Sequence, residues 1–459
     1  MLRTARNLVM TVSLIVAAAL PVSAETLADA LIAAYRNSNL LAQNQAVLRA
    51  ADEDVAQAVA TLRPVVAFVA DGQYGYSEQL LGTGLTVVNE GLFSNLALSA
   101  QMMVFDFGRT QLAIEAAKET VLATREALIS VEQQVLLAAV SAFVNVRLQQ
   151  EIVSLRENNV RVIGEQLRAA QDRFEVGEVT RTDVAQAEAR LAQARANLVV
   201  AQGDLAIARE NYRAATGNYP GTLSAPPAPP RIADTLDAAR SVALRTHPAI
   251  RQAQREVKAA ELTVARARAN LKPTLSATAS LSVDQDGLQE NGFGLSLRQT
   301  IYSGGALASA LRQSIANREA RFAGLQQRGV EVAENVGTVW SNLDVADASI
   351  TATEQQIAAA QIAFDGVREE ASLGARTTLD VLDAEQDLLD ARASRLTAEA
   401  QRYVGIYQLL SSMGLLTVDH LELGIPTYDP AAYYNAVRRA PTSIQGQRLD
   451  RIMKSVGND

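Results

Sequence analysis

Residues 26–64 align without a gap to residues 235–273, and this repetition constrains the chain more than any other feature. The shared positions include Leu27 and Leu236, Ala51 and Ala260, Val55 and Val264, and Leu62-Arg63-Pro64 against Leu271-Lys272-Pro273. A second block repeats further on. Val104-Phe105-Asp106-Phe107-Gly108 falls on Ile301-Tyr302-Ser303-Gly304-Gly305, Val176-Gly177 on Leu373-Gly374, Thr182-Asp183 on Leu379-Asp380, and Gly217 on Gly414. The spacing between copies is 12 residues shorter in the second block, so the first copy carries the longer insertion between residues 64 and 104. Residues 217–231, with five prolines, read as an extended linker between two halves of one design.

The chain therefore divides into a first repeat at 25–216, the linker, a second repeat at 232–416 and an extension at 417–459. Each repeat reads as helix, strand pair, long helix, helix. The opening helices cover 38–63 and 247–272 and stop before a proline, which bars helix at the preceding residue. Strand pairs follow at 65–76 with 94–105, and at 274–283 with 293–302, joined by polar loops at 77–91 and 284–292. Long helices are expected at 109–173 and 306–371, far beyond the usual three or four turns. The last helices cover 181–215 and 378–412. In the first of these, Val184, Ala187, Leu191, Ala194, Leu198, Ala201, Leu205, Ala208 and Tyr212 step by three and four. That is a heptad seam with alanine at every second knob, which lets two backbones approach closely. Leu389, Leu396, Tyr403 and Leu410 recur every seven residues in the second. A dimeric coiled coil competes as an explanation. Glycine-bearing turns at 175–180 and 372–377 favour antiparallel helical hairpins instead.

Composition removes several function classes. Residues 1–24 have a basic start at Arg3 and Arg6, an apolar run from Leu8 to Leu20 and the small-residue end Val22-Ser23-Ala24, the pattern of a secretory signal. With 42 Lys and Arg against 50 Asp and Glu the chain is acidic, which argues against a nucleic-acid partner. No Cys and two His, His247 and His420, leave no disulfide framework, thiolate metal site or histidine cluster. Neither a nucleophile with its base nor a phosphate-cradling loop is present, so no enzyme and no cofactor is expected. Trp340 and His247 read as structural. Beyond the signal, no apolar run long enough for a membrane helix is expected.

Strands are another matter. In 274–283, Leu275, Ala277, Ala279, Leu281 and Val283 share one parity while Thr274, Ser276, Thr278, Ser280 and Ser282 share the other. Ten alternating residues match a tilted transmembrane strand, although a half-buried strand of a soluble sheet alternates too. Phe293, Leu295 and Leu297 alternate likewise, as do Val66, Phe68 and Ala70 with Tyr74 and Tyr76, and Leu96, Leu98, Ala100, Met102 and Val104. Aromatic residues gather at the strand ends. Four strands cannot close a lipid-exposed barrel, because an open edge leaves backbone groups unpaired in hydrocarbon. If they span a membrane, several chains share one barrel, and the charged helices project into water.

The segments Phe174 to Glu188 and Leu373 to Glu385, at equivalent places in the halves, resemble the TolC-like outer-membrane channel family, and the resemblance covers nearly all of the mature chain. It implies an α+β membrane protein: a homotrimer whose twelve strands, four per chain, form an outer-membrane barrel in outer-membrane lipid, continued by a long periplasmic α-helical barrel of coiled coils. It implies a passive exit duct for drugs or small toxic compounds, served by a periplasmic adaptor and an inner-membrane efflux or ABC transporter. A type I protein secretion duct is the second reading, and a soluble periplasmic coiled-coil scaffold a remote third. Carried over by motif position, Arg376 is a periplasmic gate tether acting with Thr182 and Asp183. Asp380 and Asp383 are pore aspartate rings, and Gly177 and Gly374 mark the tip turns where an adaptor docks. The spacing of Asp380 and Asp383 independently puts them on one helical face, although Asp is common in any first helical turn. Where the family's prototype has a tyrosine five residues before the arginine, this chain has Ala371.

Overall fold

The computed structural model describes residues 24–80, 82–84 and 86–439. The signal sequence expected at 1–24 lies outside these apart from Ala24, as does the end of the C-terminal extension. Each half opens with two helices rather than one. These are α1 (Leu27–Asn37) and α2 (Asn39–Ala60) in the first half, α5 (Leu236–Thr246) and α6 (Pro248–Ala269) in the second. The break falls at Ser38 and at His247, both extended, whose side chains cap the following helix by accepting from the N–H of Leu41 and of Ala249.

The sheet contains β1 (Val65–Leu80), β2 (Thr86–Phe105), β3 (Thr274–Asp284) and β4 (Gln289–Arg298) in that order, every neighbour antiparallel. Its registers put the apolar parities on one face: Val66, Ala100, Ala279 and Phe293 form one cross-strand row, and Phe68, Leu98 and Leu281 line up beside it. Phe68, Phe293, Leu295 and Leu297 are exposed there. Among the described residues, neither edge, β1 nor β4, is paired.

Strand limits differ from the sequence expectation. The first hairpin runs to Leu80 and resumes at Thr86, where a loop over 77–91 was expected. Alternation fades there but the backbone ladder continues, helped by the Tyr74 hydroxyl donating to Glu90 at 2.6 Å. β4 starts at Gln289 and ends at Arg298 rather than covering 293–302. Asp284 closes a tight turn by accepting from the N–H groups of Asp286 and Leu288, which lets the return strand begin early.

Each hairpin feeds a very long helix, α3 (Arg109–Glu175) and α7 (Ala306–Ser372), of 67 residues apiece. At the helical rise each is about 100 Å long. α4 (Arg181–Thr216) returns along α3, and α8 (Thr378–Ser412) along α7. The alanine seam of α4 faces inward: Ala187, Leu191, Ala194, Ala201, Ala208 and Tyr212 are buried, with Val184, Leu198 and Leu205 half-buried. One stretch of α3 is apolar and long enough to cross a bilayer by composition, contrary to expectation. Its side chains are core instead: Leu136, Ala139, Val140, Phe143 and Val146 pack with α1, α5 and the end of α8.

That core joins the halves. Gly217 and Gly414, at the ends of α4 and α8, have φ of 88° and 76°. Gly217 sits against the Asn37 side chain, whose Nδ2 donates to the Thr216 carbonyl at 2.7 Å, and Gly414 sits against the His247 backbone. The C-terminal extension contains a further helix, α9 (Pro430–Val437). Pro430 starts it, and its Val437 is buried against Ala56 of α2.

Candidate functional site

The ends of the two long hairpins farthest from the sheet hold the residues singled out in the sequence. Both turns are built alike. After α3, the N–H of Gly177 donates to Phe174 O at 3.0 Å and that of Glu178 to Arg173 O at 2.9 Å. After α7, Gly374 donates to Ala371 O at 3.2 Å and Ala375 to Glu370 O at 2.9 Å. This helix stop needs a left-handed residue, and the two glycines supply it with φ of 80° and 78°.

The next helix starts with a reciprocal cap in both cases. Asp183 Oδ2 accepts from the Thr180 N–H at 2.8 Å and its hydroxyl at 2.9 Å, while the Asp183 N–H donates back to Thr180 Oγ1. Asp380 does the same with Thr377, at 2.9 Å for both contacts. The signal was present as Thr-x-x-Asp before each helix, a capping box that the sequence reading did not use. Thr182 is exposed in the first turn of α4 beside Asp183.

Arg376 is exposed and its Nε donates to Glu370 Oε2 at 2.8 Å, across its own turn. Within the chain it therefore contacts α7 rather than Thr182 or Asp183. Asp383, one turn beyond Asp380, forms an ion pair with Arg190 of α4. Ala371 is buried with Phe364, Val381 and Leu388, so no polar group stands at that position.

The structure adds links between the hairpins that motif reading missed. Arg173 of α3 donates to the carbonyls of Ala371 and Ser372 at 3.2 and 3.4 Å. Asn159 Nδ2 of α3 donates to Glu385 Oε1 of α8 at 3.2 Å, and Arg156 faces Asp390 at 3.7 Å. Leu382 lies between them and packs with Ile163, Ala187, Leu191 and Ala194. Burial pushes the Glu385 carboxyl up to about 7, against the opposing pull of Asn159 and Arg161. None of these partners is near in sequence, so only the packing of α8 onto α3 and α4 reveals them. Among the described residues, no group of three or more His, Asp or Glu is placed to hold a metal ion.

Comparison with known proteins fits this geometry. The family described as "Outer membrane efflux protein" matches residues 31–218 and 239–415. The chain is 34% identical over 424 residues to the outer membrane efflux protein BepC of Brucella suis biovar 1 (strain 1330), covering 90% of this chain and 91% of that one. It is 25% identical over 353 residues to the alkaline protease secretion protein AprF of Pseudomonas aeruginosa, covering 71% and 70%. The solved structure of the Campylobacter jejuni CmeC outer membrane channel superposes with a TM-score of 0.76 at 16% identity, over 92% of this chain and 90% of that one. The last likeness is one of fold.

Proposed function

The chain belongs to the outer membrane efflux protein family, and from that premise we propose that three copies form one channel through the outer membrane and across the periplasm. The sheet carries the argument. It has an apolar exposed face, a polar opposite face and two edges unpaired among the described residues, and hydrocarbon tolerates only a closed barrel. Three four-stranded sheets, β4 of one chain meeting β1 of the next, satisfy every edge with twelve strands. The long helices then continue the wall as coiled coils in the periplasm, and small toxic compounds delivered by an inner-membrane pump through a periplasmic adaptor leave passively. The tip turns at Gly177 and Gly374 form the docking end.

On this reading the helical end is closed at rest. Arg376 acts as a tether toward Thr182 and Asp183 of a neighbouring copy, while Asp380 and Asp383, repeated threefold, ring the constriction. Rings of like charge favour cations at such a point. Export of proteins is the second reading, favoured by the likeness to a protease secretion protein.

Sedimentation of detergent-purified protein, corrected for bound detergent, tests the assembly. A trimer resistant to carbonate extraction from membranes is expected. A stable monomer with full strand content, or release by carbonate as a soluble scaffold, overturns it. Deleting the gene and measuring drug sensitivity beside secreted-protease yield separates the two cargo readings.

A further inference from the structure

We propose that Glu385 is a proton-operated latch, holding the α7–α8 hairpin against α3 when its carboxyl is neutral and loosening it when the carboxyl is charged. The inference rests on the channel reading for its consequence but on the packing of one chain for its geometry. Glu385 is 8% exposed, at the seam where α8 lies on α3. One oxygen accepts from Asn159, and the other, Oε2, is buried with no partner. A charged oxygen in that position loses its water and gains nothing in return. A proton on Oε2 removes the charge while the Asn159 contact to Oε1 remains.

The surrounding cations do not neutralise it. On α3, Arg161 is paired with Glu165 at 3.1 Å. On α7, Arg368 pairs with Asp365 at 3.4 Å and lies over the Phe364 ring. On α8, Arg392 donates to Gln361 of α7 at 2.8 Å, and on α4, Arg190 is held by Asp383. Glu165 adds a like charge. Of these groups Glu165, Arg368 and Arg392, with Asn158, Asn159 and Gln361, line a cleft of about 270 Å³ that reaches Glu385, so protons have access.

The sign follows from the raised value. A carboxyl whose folded value lies above its unfolded one contributes stability in full below the unfolded value and loses it as pH rises through the folded value. The hold between hairpins is thus firmest in acid and fades through about pH 7. A duct whose periplasmic end tightens on acidification would limit inward leakage when the outside turns acid.

The chain contains no cysteine, so two introduced ones label cleanly. Ala169→Cys on α3 and Ala359→Cys on α7 are exposed sites on the two hairpins. Spin-label distances in the purified full-length protein should be narrow at pH 5 and longer or broader at pH 8. Glu385→Gln should stay narrow at both. Asn159→Ala, which removes the donor favouring the charged form, should move the midpoint upward. Distances that do not change with pH, or a pH response retained in Glu385→Gln, overturn the latch. Conductance in a planar bilayer gives the separate check. A pH-dependent separation without a conductance change upholds the latch and overturns the closed-end reading.

Discussion

Asp183 and Asp380 hold equivalent places: each is the third residue of its helix, and each carboxylate accepts from the N–H and hydroxyl of the threonine three residues before it. The Thr377 N–H and then its hydroxyl, with Arg376 adding charge, hold Asp380 below the usual carboxylate range. A lowered carboxyl contributes order above its unfolded value and loses it as pH falls through the folded one. Amide exchange in the first turn of α8 should therefore stay slow at neutral pH and speed up only in strong acid. Asp380→Asn should exchange fast throughout, and unchanged protection would refute the cap.

The proposed tether makes a separate prediction, read by single-channel conductance. Arg376→Ser and Asp183→Ala should each raise conductance several-fold, and the pair together little more than either alone, because partners are not additive. Full additivity would mean that Arg376 acts through Glu370 only. Removing the two carboxylates proposed to ring the constriction, with Asp380→Ala and Asp383→Ala, should lower cation preference.

The two classes of turn glycine should separate by magnitude. Gly374→Ala places a side chain at φ 78° with open space around it, costing about 1–2 kcal/mol of left-handed strain. Gly414→Ala adds a Cβ 2.7 Å from the His247 Cα, so strain is joined by a backbone clash. Its loss in thermal stability should be clearly the larger. Equal losses would contradict the docking of α8 on the α5–α6 break.

Ala208 is 1% exposed in the α4 seam, whereas Val199 on the same helix is 67% exposed. Ala208→Leu should cost about 1–3 kcal/mol by overpacking, seen as a lower unfolding temperature. Val199→Leu should be near neutral. Similar shifts for both would refute the inward seam.

Asp52 of α2 is fully buried with both carboxylate oxygens unpartnered, and burial, only partly offset by Arg125, pushes it up to about 6. Its contribution is present in acid and lost as pH rises through that value. Asp52→Asn should raise the unfolding temperature most at pH 8, by less at pH 5, and leave it unchanged only in acid below the ordinary carboxyl value of 3.8. A gain of equal size at both would point to packing instead.

The duplication, the strand parities and the seam were legible because each repeats along the chain with a fixed period. Strand ends were not. The ladder from Ser77 to Leu80 is held by backbone pairing with Thr86 to Asn89, which leaves no mark in hydropathy. The helical tips were half legible. Gly177 and Gly374 announce turns, but Arg190 with Asp383 and Asn159 with Glu385 join residues roughly 200 positions apart. The resemblance of motifs pointed to Arg376, whereas no local pattern marks Arg173, which donates to the Ala371 and Ser372 carbonyls.

The pairing of β2 with β3, Leu98 opposite Leu281, has a consequence for biogenesis. Each hairpin closes locally, but the seam between them needs the whole of the first repeat, the linker and the start of the second to have left the ribosome. On the proposed three-copy assembly, the outer edges of the sheet wait longer still, for two other finished chains. A single copy, on the same reading, has bare strand edges and an apolar face until it pairs, the condition under which sheets aggregate. On that assembly the edges and the apolar face are covered only once the copies meet, so lipid insertion follows pairing between chains rather than preceding it.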